Sequence, residues 1–199
     1  MPIDRWEACL AGSGGQGIIS AGIILAEAAV LAGLNAVQTQ SYGPESRGGA
    51  SRAEVVLSDG EIDYAKTTQA DVVLAMTSDA CAKYAGKIKA GGMLIVDDQV
   101  DRIPAGPYRM VRAPITRIAA AELGRAIVAN IVALGVLAAL TEIVPMGALE
   151  QAVLARVPRG TEELNRTALR LGFEAGRQTG LLTQAPANDS SRTSTIGVP

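Results

Sequence analysis

The sequence predicts a single α/β domain, Rossmann-like, with a mostly parallel sheet and helices on both faces. Three observations predict it. Short apolar runs alternate with helix-period runs from the N-terminus onward, the pattern of strands joined by crossover helices. A glycine cluster, GSGGQG, stands between the first apolar run and the first helical one. The chain is 199 residues long and 48% hydrophobic with only 3% aromatic residues, so its apolar content suits one core of buried parallel strands and closely approached helices.

Each element can be justified in turn. Residues 6–11 form a short apolar strand that stops at the glycines. IISAGIILAEAAVLAG follows as a helix closed by Gly33, and Asn35 starts the next element. Residues 36–39 read as a second strand. SRAEVVLS alternates as a strand, Asp59 and Gly60 mark a turn, and DVVLAM is a fully apolar strand. Residues 78–89 are expected to be a helix with Ser78 as N-cap, after which Gly91 and Gly92 lead into the buried strand MLIVDD. Three prolines surround a further strand, YRMVRA. Residues 116–140 carry small apolar residues at helical spacing with few charges, so at least two faces need cover: this domain's sheet on one, a partner chain as a candidate for the other. Helices follow over residues 147–156 and, from a Thr-Glu-Glu entry, 161–180. Residues 1–182 make the domain. The polar tail, 183–199, is expected to be disordered.

Composition excludes several classes. With 18 basic against 20 acidic side chains there is no field to attract nucleic acid or an anionic membrane, and few aromatic rings are available for base stacking. The longest apolar run, residues 126–140, is interrupted by Asn130 and falls short of the roughly 20 residues a membrane crossing needs. Histidine is absent and the two cysteines, Cys9 and Cys81, are far apart, so neither a zinc site nor an iron–sulfur cluster is expected on this chain. The charged N-terminal residues lack a signal-peptide core, and the expected setting is the cytoplasm.

Gly12, Gly14 and Gly17 fit G-x-G-x-x-G between strand and helix, where bare N–H groups and a helix N-terminus can face an anion. The acid that should hold a ribose about 20 residues on is missing: that window reads Val37-Gln38-Thr39-Gln40. A Walker motif fails too, because Gly17 is followed by Ile18 and Ile19. Tight packing of helix on strand accounts for Gly12, Gly14 and Gly15 as well as anion or partner contact does, and Gln16 can either bond a neighbouring loop or face solvent. In SYGPESRGGASRAE, Pro44 stiffens a loop that Gly43, Gly48 and Gly49 leave closely approachable, with Arg47 at its centre. That guanidinium suits a phosphate or carboxylate clamp, or an internal pair with Glu45 or Glu54. Arg52 has the same two readings.

In order over residues 7–176, AGSGGQGIISAGIILAEAA, QTQSYGPESRGGASRAEVVLSDGEIDY, GGMLIVD, AAAELGRAIVANIVALG and GTEELNRTAL together resemble the gamma subunit of the 2-oxoacid:ferredoxin oxidoreductases. SYGPESRGG with SRAEV is most similar to the 2-oxoglutarate branch. The resemblance implies oxidative decarboxylation, in which a 2-oxoacid and coenzyme A give acyl-CoA and carbon dioxide while electrons pass to ferredoxin. It also implies that thiamine diphosphate, Mg2+ and Fe–S clusters belong to alpha and beta chains, with a delta chain as a further candidate partner. This chain would then bind no cofactor alone, would be inactive alone, and would pack on those subunits and help to form the CoA passage. Residue by residue, Gly12, Gly14, Gly15, Gln16 and Gly17 match the family's glycine turn, and Tyr42, Gly43, Pro44, Arg47, Gly48 and Gly49 match its loop. They are expected to be binding or interface residues, none of them catalytic. The competing expectation is a free-standing Rossmann-like enzyme that binds a nucleotide or CoA.

Overall fold

Among the described residues, the alternation read from the sequence folds into six strands and six α-helices. The computed structural model describes residues 3–42 and 50–184. In chain order these are β1 (Trp6–Ser13), α1 (Ile18–Leu31), β2 (Asn35–Tyr42), β3 (Ala50–Ser58), β4 (Ala70–Ala75), α2 (Ser78–Tyr84), β5 (Ile88–Asp97), β6 (Arg109–Ala113), α3 (Ile115–Arg117), α4 (Ala129–Thr141), α5 (Met146–Arg156) and α6 (Glu162–Gln184). The expected polar tail beyond Gln184 lies outside the described residues.

The strands form one sheet in the order β2-β3-β1-β4-β5-β6. β1, β4, β5 and β6 run parallel, while β3 pairs antiparallel with both β1 and β2. The parallel half was expected, and the antiparallel half follows from the chain between β2 and β3: seven residues permit a hairpin but not a crossover helix. Chain direction switches between β1 and β4, since β1 leads outward through α1 to β2 and β4 returns on the other side. In open α/β sheets such a switch, at the carboxyl ends of the strands, is where ligands bind.

Period-2 alternation sends Ala8, Leu10, Val55, Leu57 and Leu74 to a face covered by α1, α4, α5 and α6, and Cys9, Ala11, Val73 and Val96 to a face covered by α2. Each fully buried Leu or Val of this kind contributes about 1.5–3 kcal/mol of transfer free energy. Beyond α2, residues 59–69 cover the second face through two buried carboxylates. Glu7 accepts from the N–H groups of Thr68 and Gln69 at 2.6 and 3.0 Å, and from Arg5 Nε at 2.6 Å. Glu54 accepts from the Thr67 hydroxyl and, at 3.4 Å, from Thr39 Oγ1.

Three local expectations are corrected. Thr77 caps α2, its Oγ1 accepting from Ala80 N–H at 3.2 Å, while the Ser78 hydroxyl turns to Asp101. That helix ends at Tyr84, a 3-10 turn carries the chain to Lys87, and Ile88 already belongs to β5, where the left-handed Gly91 (φ 78°) lies within the register shift between Ile88 and Met93. The expected helix over 116–140 is broken. α3 runs into a π turn, Ile118–Glu122, the chain reverses at Gly124 (φ 63°), and a 3-10 turn, Ala126–Val128, starts α4. Glycine can take that left-handed conformation without the Cβ penalty, which is why the break falls there.

The cover foreseen for α4 from a partner comes from the chain itself. All ten residues from Ala129 to Ala138 are buried, and α6 supplies the second wall. The two helices approach so closely that a Cβ at Gly135 would meet Leu169 O and, at 2.7 Å, Phe173 N; one at Gly172 would meet the Val132 carbonyl.

Candidate functional site

The glycine turn forms because β1 must hand over to α1 within four residues. Gly15 (φ 91°) and Gly17 (φ 71°) both take left-handed conformations. Gln16 answers the question left open by the sequence: its Oε1 accepts the Ser13 N–H at 2.7 Å and so latches the turn on itself. Gly12 lies under that latch, where a side chain would strike Gln16 Oε1 and, at 3.1 Å, Ile18. Gly17 is the N-cap of α1 and has no side-chain cap. Its carbonyl accepts from Ala21 N–H at 3.0 Å and from Asn130 Nδ2 at 3.2 Å, and a Cβ there would come within 2.6 Å of that amide. Gly14 and Gly15 are exposed, and nothing stands within 4 Å of a Cβ added at Gly15. So Gly12 and Gly17 are closed by packing, whereas Gly15 opens outward.

At this opening the first N–H groups of α1 lack intrahelical acceptors, as at any helix start. No acidic residue occupies the first turn of α1, so the positive end of its dipole is not neutralised locally. The structure brings the roots of the second motif to the same place: Ser13 is in register with Ala50, and Gly12 with Ser51, which itself pairs with Tyr42. Gly43, Pro44, Arg47, Gly48 and Gly49 lie outside the described residues. Of Arg47's candidate internal partners, Glu54 is engaged by Thr67, Thr39 and, at 3.4 Å, the Arg52 guanidinium. Arg52 thus takes the internal pairing, and its Cζ lies 5.4 Å from the centroid of the Tyr84 ring.

Beside the turn, between α1, the start of α4 and the connection from α5 to α6, is a cleft of about 470 Å³. Ile24, Val128, Ile131 and Leu164 give it an apolar lining, and Asn130 and Asn165, both over nine-tenths buried, bring amides to it. Arg156 at its rim is held by Glu27, with Nε to Oε2 at 2.6 Å; that hydrogen bond keeps the Glu27 carboxyl below the usual carboxylate range. Sequence reasoning missed the cleft. Asn130 gave a signal, as the polar interruption of an apolar run, but Asn165 gave none.

The fold and this turn define the class: a Rossmann-like domain whose glycine turn sits at the topological switch of its sheet. Within that class, residues 7–175 match the family model described as pyruvate ferredoxin/flavodoxin oxidoreductase, and the chain belongs to that family. It is 48% identical to 2-oxoglutarate synthase subunit KorC of Methanocaldococcus jannaschii, covering 87% of this chain and 95% of that one. It superposes on the gamma subunit of a keto/oxoacid ferredoxin oxidoreductase from Geobacter sulfurreducens with a TM-score of 0.81 and 49% identity, over 88% of this chain and 98% of that one. It is also similar, at 26% identity and a TM-score of 0.73, to 2-oxoglutarate:ferredoxin oxidoreductase from Magnetococcus marinus, a structure with 2-oxoglutarate, coenzyme A and succinyl-CoA bound; there 92% of this chain matches 32% of a longer one.

An iron–sulfur cluster, which ferredoxin-linked chemistry implies, takes four cysteine thiolates. Cys9 and Cys81 are the two in the sequence. Both are buried; burial pushes the Cys9 thiol up to about 12, with the Glu54 carboxylate adding to the effect, and raises the Cys81 thiol as well. Neutral buried thiols in a pair do not fit a cluster. Nor do the described residues fit a diphosphate-bound metal, since among them no three His, Cys, Asp or Glu side chains come together.

Proposed function

We propose that this chain is the gamma-type subunit of a 2-oxoglutarate:ferredoxin oxidoreductase, a complex that converts 2-oxoglutarate and CoA to succinyl-CoA and carbon dioxide and passes the electrons to ferredoxin. The observation that carries the reading is the match to a 2-oxoglutarate synthase subunit at 48% identity over 87% of this chain and 95% of that one. Thiamine diphosphate, Mg2+ and Fe–S clusters supply decarboxylation and electron transfer on the alpha and beta chains. A free-standing nucleotide-binding enzyme is disfavoured by the family membership and by the missing ribose-binding acid.

This chain's own work is to hold and orient. Its charge-neutral α1 entry offers N–H groups to a phosphate at Gly14 and Gly15, and Arg47, on the loop rooted beside the turn, is placed in sequence to clamp the same anion. Gly12, Gln16 and Gly17 keep the turn in shape. The phosphates of CoA are the anion this reading assigns, so the subunit positions the thiol that receives the acyl group. The complex is assigned to the cytoplasm; among the described residues no helix is long and apolar enough to cross a membrane.

Co-expression with the neighbouring subunits tests the assignment. The assembled complex is expected to reduce ferredoxin with 2-oxoglutarate in preference to pyruvate, while the isolated chain is colourless and inactive. Iron or thiamine diphosphate in the purified single chain overturns it. Arg47→Ala is expected to raise the half-saturating CoA concentration with assembly intact.

A further inference from the structure

We infer that Arg52, Lys83 and Lys87 form a basic docking surface on the α2 face of the sheet, and that its occupant is a carboxylate-rich segment of an adjoining subunit. The inference rests on the reading of this chain as one subunit of a complex, and it says where one contact between subunits falls. Strand register brings the three side chains together. Arg52 lies opposite Ala11 of β1, so its side chain falls on the face that α2 covers, and Tyr84 ends α2 over that spot. Arg52 Cζ and the Nζ atoms of Lys83 and Lys87 stand 5.4, 5.5 and 5.4 Å from the centroid of the Tyr84 ring. One nearly buried ring thus gathers three positive charges.

Their countercharge is incomplete. Glu54, 3.4 Å from an Arg52 nitrogen, also accepts from Thr67 and Thr39. Neither lysine has an ion-pair partner among the described residues. The negative end of the α2 dipole favours Lys83 at the close of that helix, but it does not account for Arg52, which comes from β3. Arg52 Nε is moreover buried and lacks a hydrogen-bond acceptor among the described residues. A charged N–H in that condition is costly, and like charges gathered this closely repel. A carboxylate from outside relieves both. A resident neighbour suits the surface better than a passing ligand, because the cost then stays covered throughout the working life of the protein. The approach is open: both lysines are exposed, and at Gly86 between them an added Cβ would meet nothing within 4 Å. Arg52, its side chain 22% exposed, is the inset anchor, and the lysines are its rim.

The test uses this chain and its co-expressed neighbouring subunits. Lys83→Glu/Lys87→Glu is expected to weaken assembly about tenfold at physiological salt, mostly by slowing association, and to flatten its dependence on NaCl. Both side chains are exposed, so the thermal midpoint of the isolated variant should equal the parent's. Lys83→Gln/Lys87→Gln should show a smaller loss in the same direction, and it decides the matter if charge reversal impairs folding. Carbodiimide coupling, which joins an amine to a carboxylate in contact, should link Lys83 or Lys87 of the assembled complex to an Asp or Glu of an adjoining subunit. Assembly of unchanged strength and salt dependence in the folded variants overturns the inference. So does a link from these lysines solely to a second copy of this chain, or a raised half-saturating CoA concentration in an intact complex, since either gives the surface another occupant. A complex that assembles through these lysines but turns over no 2-oxoglutarate leaves the surface assigned and sinks the functional reading alone.

Discussion

Two glycine-rich regions of this molecule look alike in composition and do opposite things. Along the seam between α4 and α6, Gly135, Gly172 and Gly176 each face backbone of the other helix, and a Cβ at Gly176 would stand 2.8 Å from Val136 O. At the turn between β1 and α1, Gly15 faces open space. The seam glycines adopt ordinary helical backbone and are required by what lies outside them; Gly15 is required by its own φ of 91° and leaves its surroundings free. A glycine that nothing crowds, at the switch point of a sheet, is available to a ligand, and a glycine pressed on a carbonyl is available to nothing else.

The comparison can be broken most severely at the seam. Gly172→Ala puts a methyl group into the Val132 carbonyl, and overpacking of this kind costs about 2–3 kcal/mol; the thermal midpoint should fall by roughly 4–10 °C. A variant as stable as the parent in a calorimetric scan would mean that the helices can part without loss. Gly15→Ala is expected to cost less, about 1–2 kcal/mol from the left-handed backbone alone, yet to raise half-saturating CoA in the complex more than Gly172→Ala does in whatever fraction stays folded. The reverse ranking would make the turn a packing element.

Asn130 joins the two regions, since it stands in the first turn of α4 and bonds the turn between β1 and α1. Asn130→Ala removes one hydrogen bond, about 1 kcal/mol. Amide exchange over residues 13–17 should quicken while the α6 amides keep their protection; uniform quickening would show that turn and seam open as one unit. The smallest effect is expected at the Glu27–Arg156 pair, which ties α1 to α5 along the cleft. Both side chains are more than a third exposed, so Arg156→Ala should cost below about 1 kcal/mol. Because Arg156 holds the Glu27 carboxyl below its usual range, this stabilisation is complete above pH about 4.3 and is lost as pH falls through the lowered value. Urea midpoints of parent and variant should therefore differ at pH 7 and converge in acid.

Much of this could be read from the sequence, and the limits have physical causes. β1, α1, β4 and β6 follow from the apolar content and spacing of their residues. The break at Gly124 was hidden because Leu-Gly in an apolar run keeps helical spacing on both sides while the backbone reverses at one residue. Cover for α4 was sought in another chain because α6, although strongly amphipathic, does not name the helix its apolar stripe packs on; the signal was three glycines at positions 172, 176 and 180, four residues apart. In the candidate site, the turn was visible through its glycines, whereas the cleft combines residues from α1, α4 and α6 that only tertiary packing brings together.

The ladder on either side of residues 43–49 has an implication for how such proteins diversify. Eight paired positions join β2 to β3 and eight more join β3 to β1, so both ends of that short segment are pinned next to the glycine turn whatever sequence runs between them. Its letters can be rewritten, lengthened or shortened without unzipping a strand, much as a blade is changed in a fixed handle. The paired strands on either side thus form a constant foundation for whatever that segment carries.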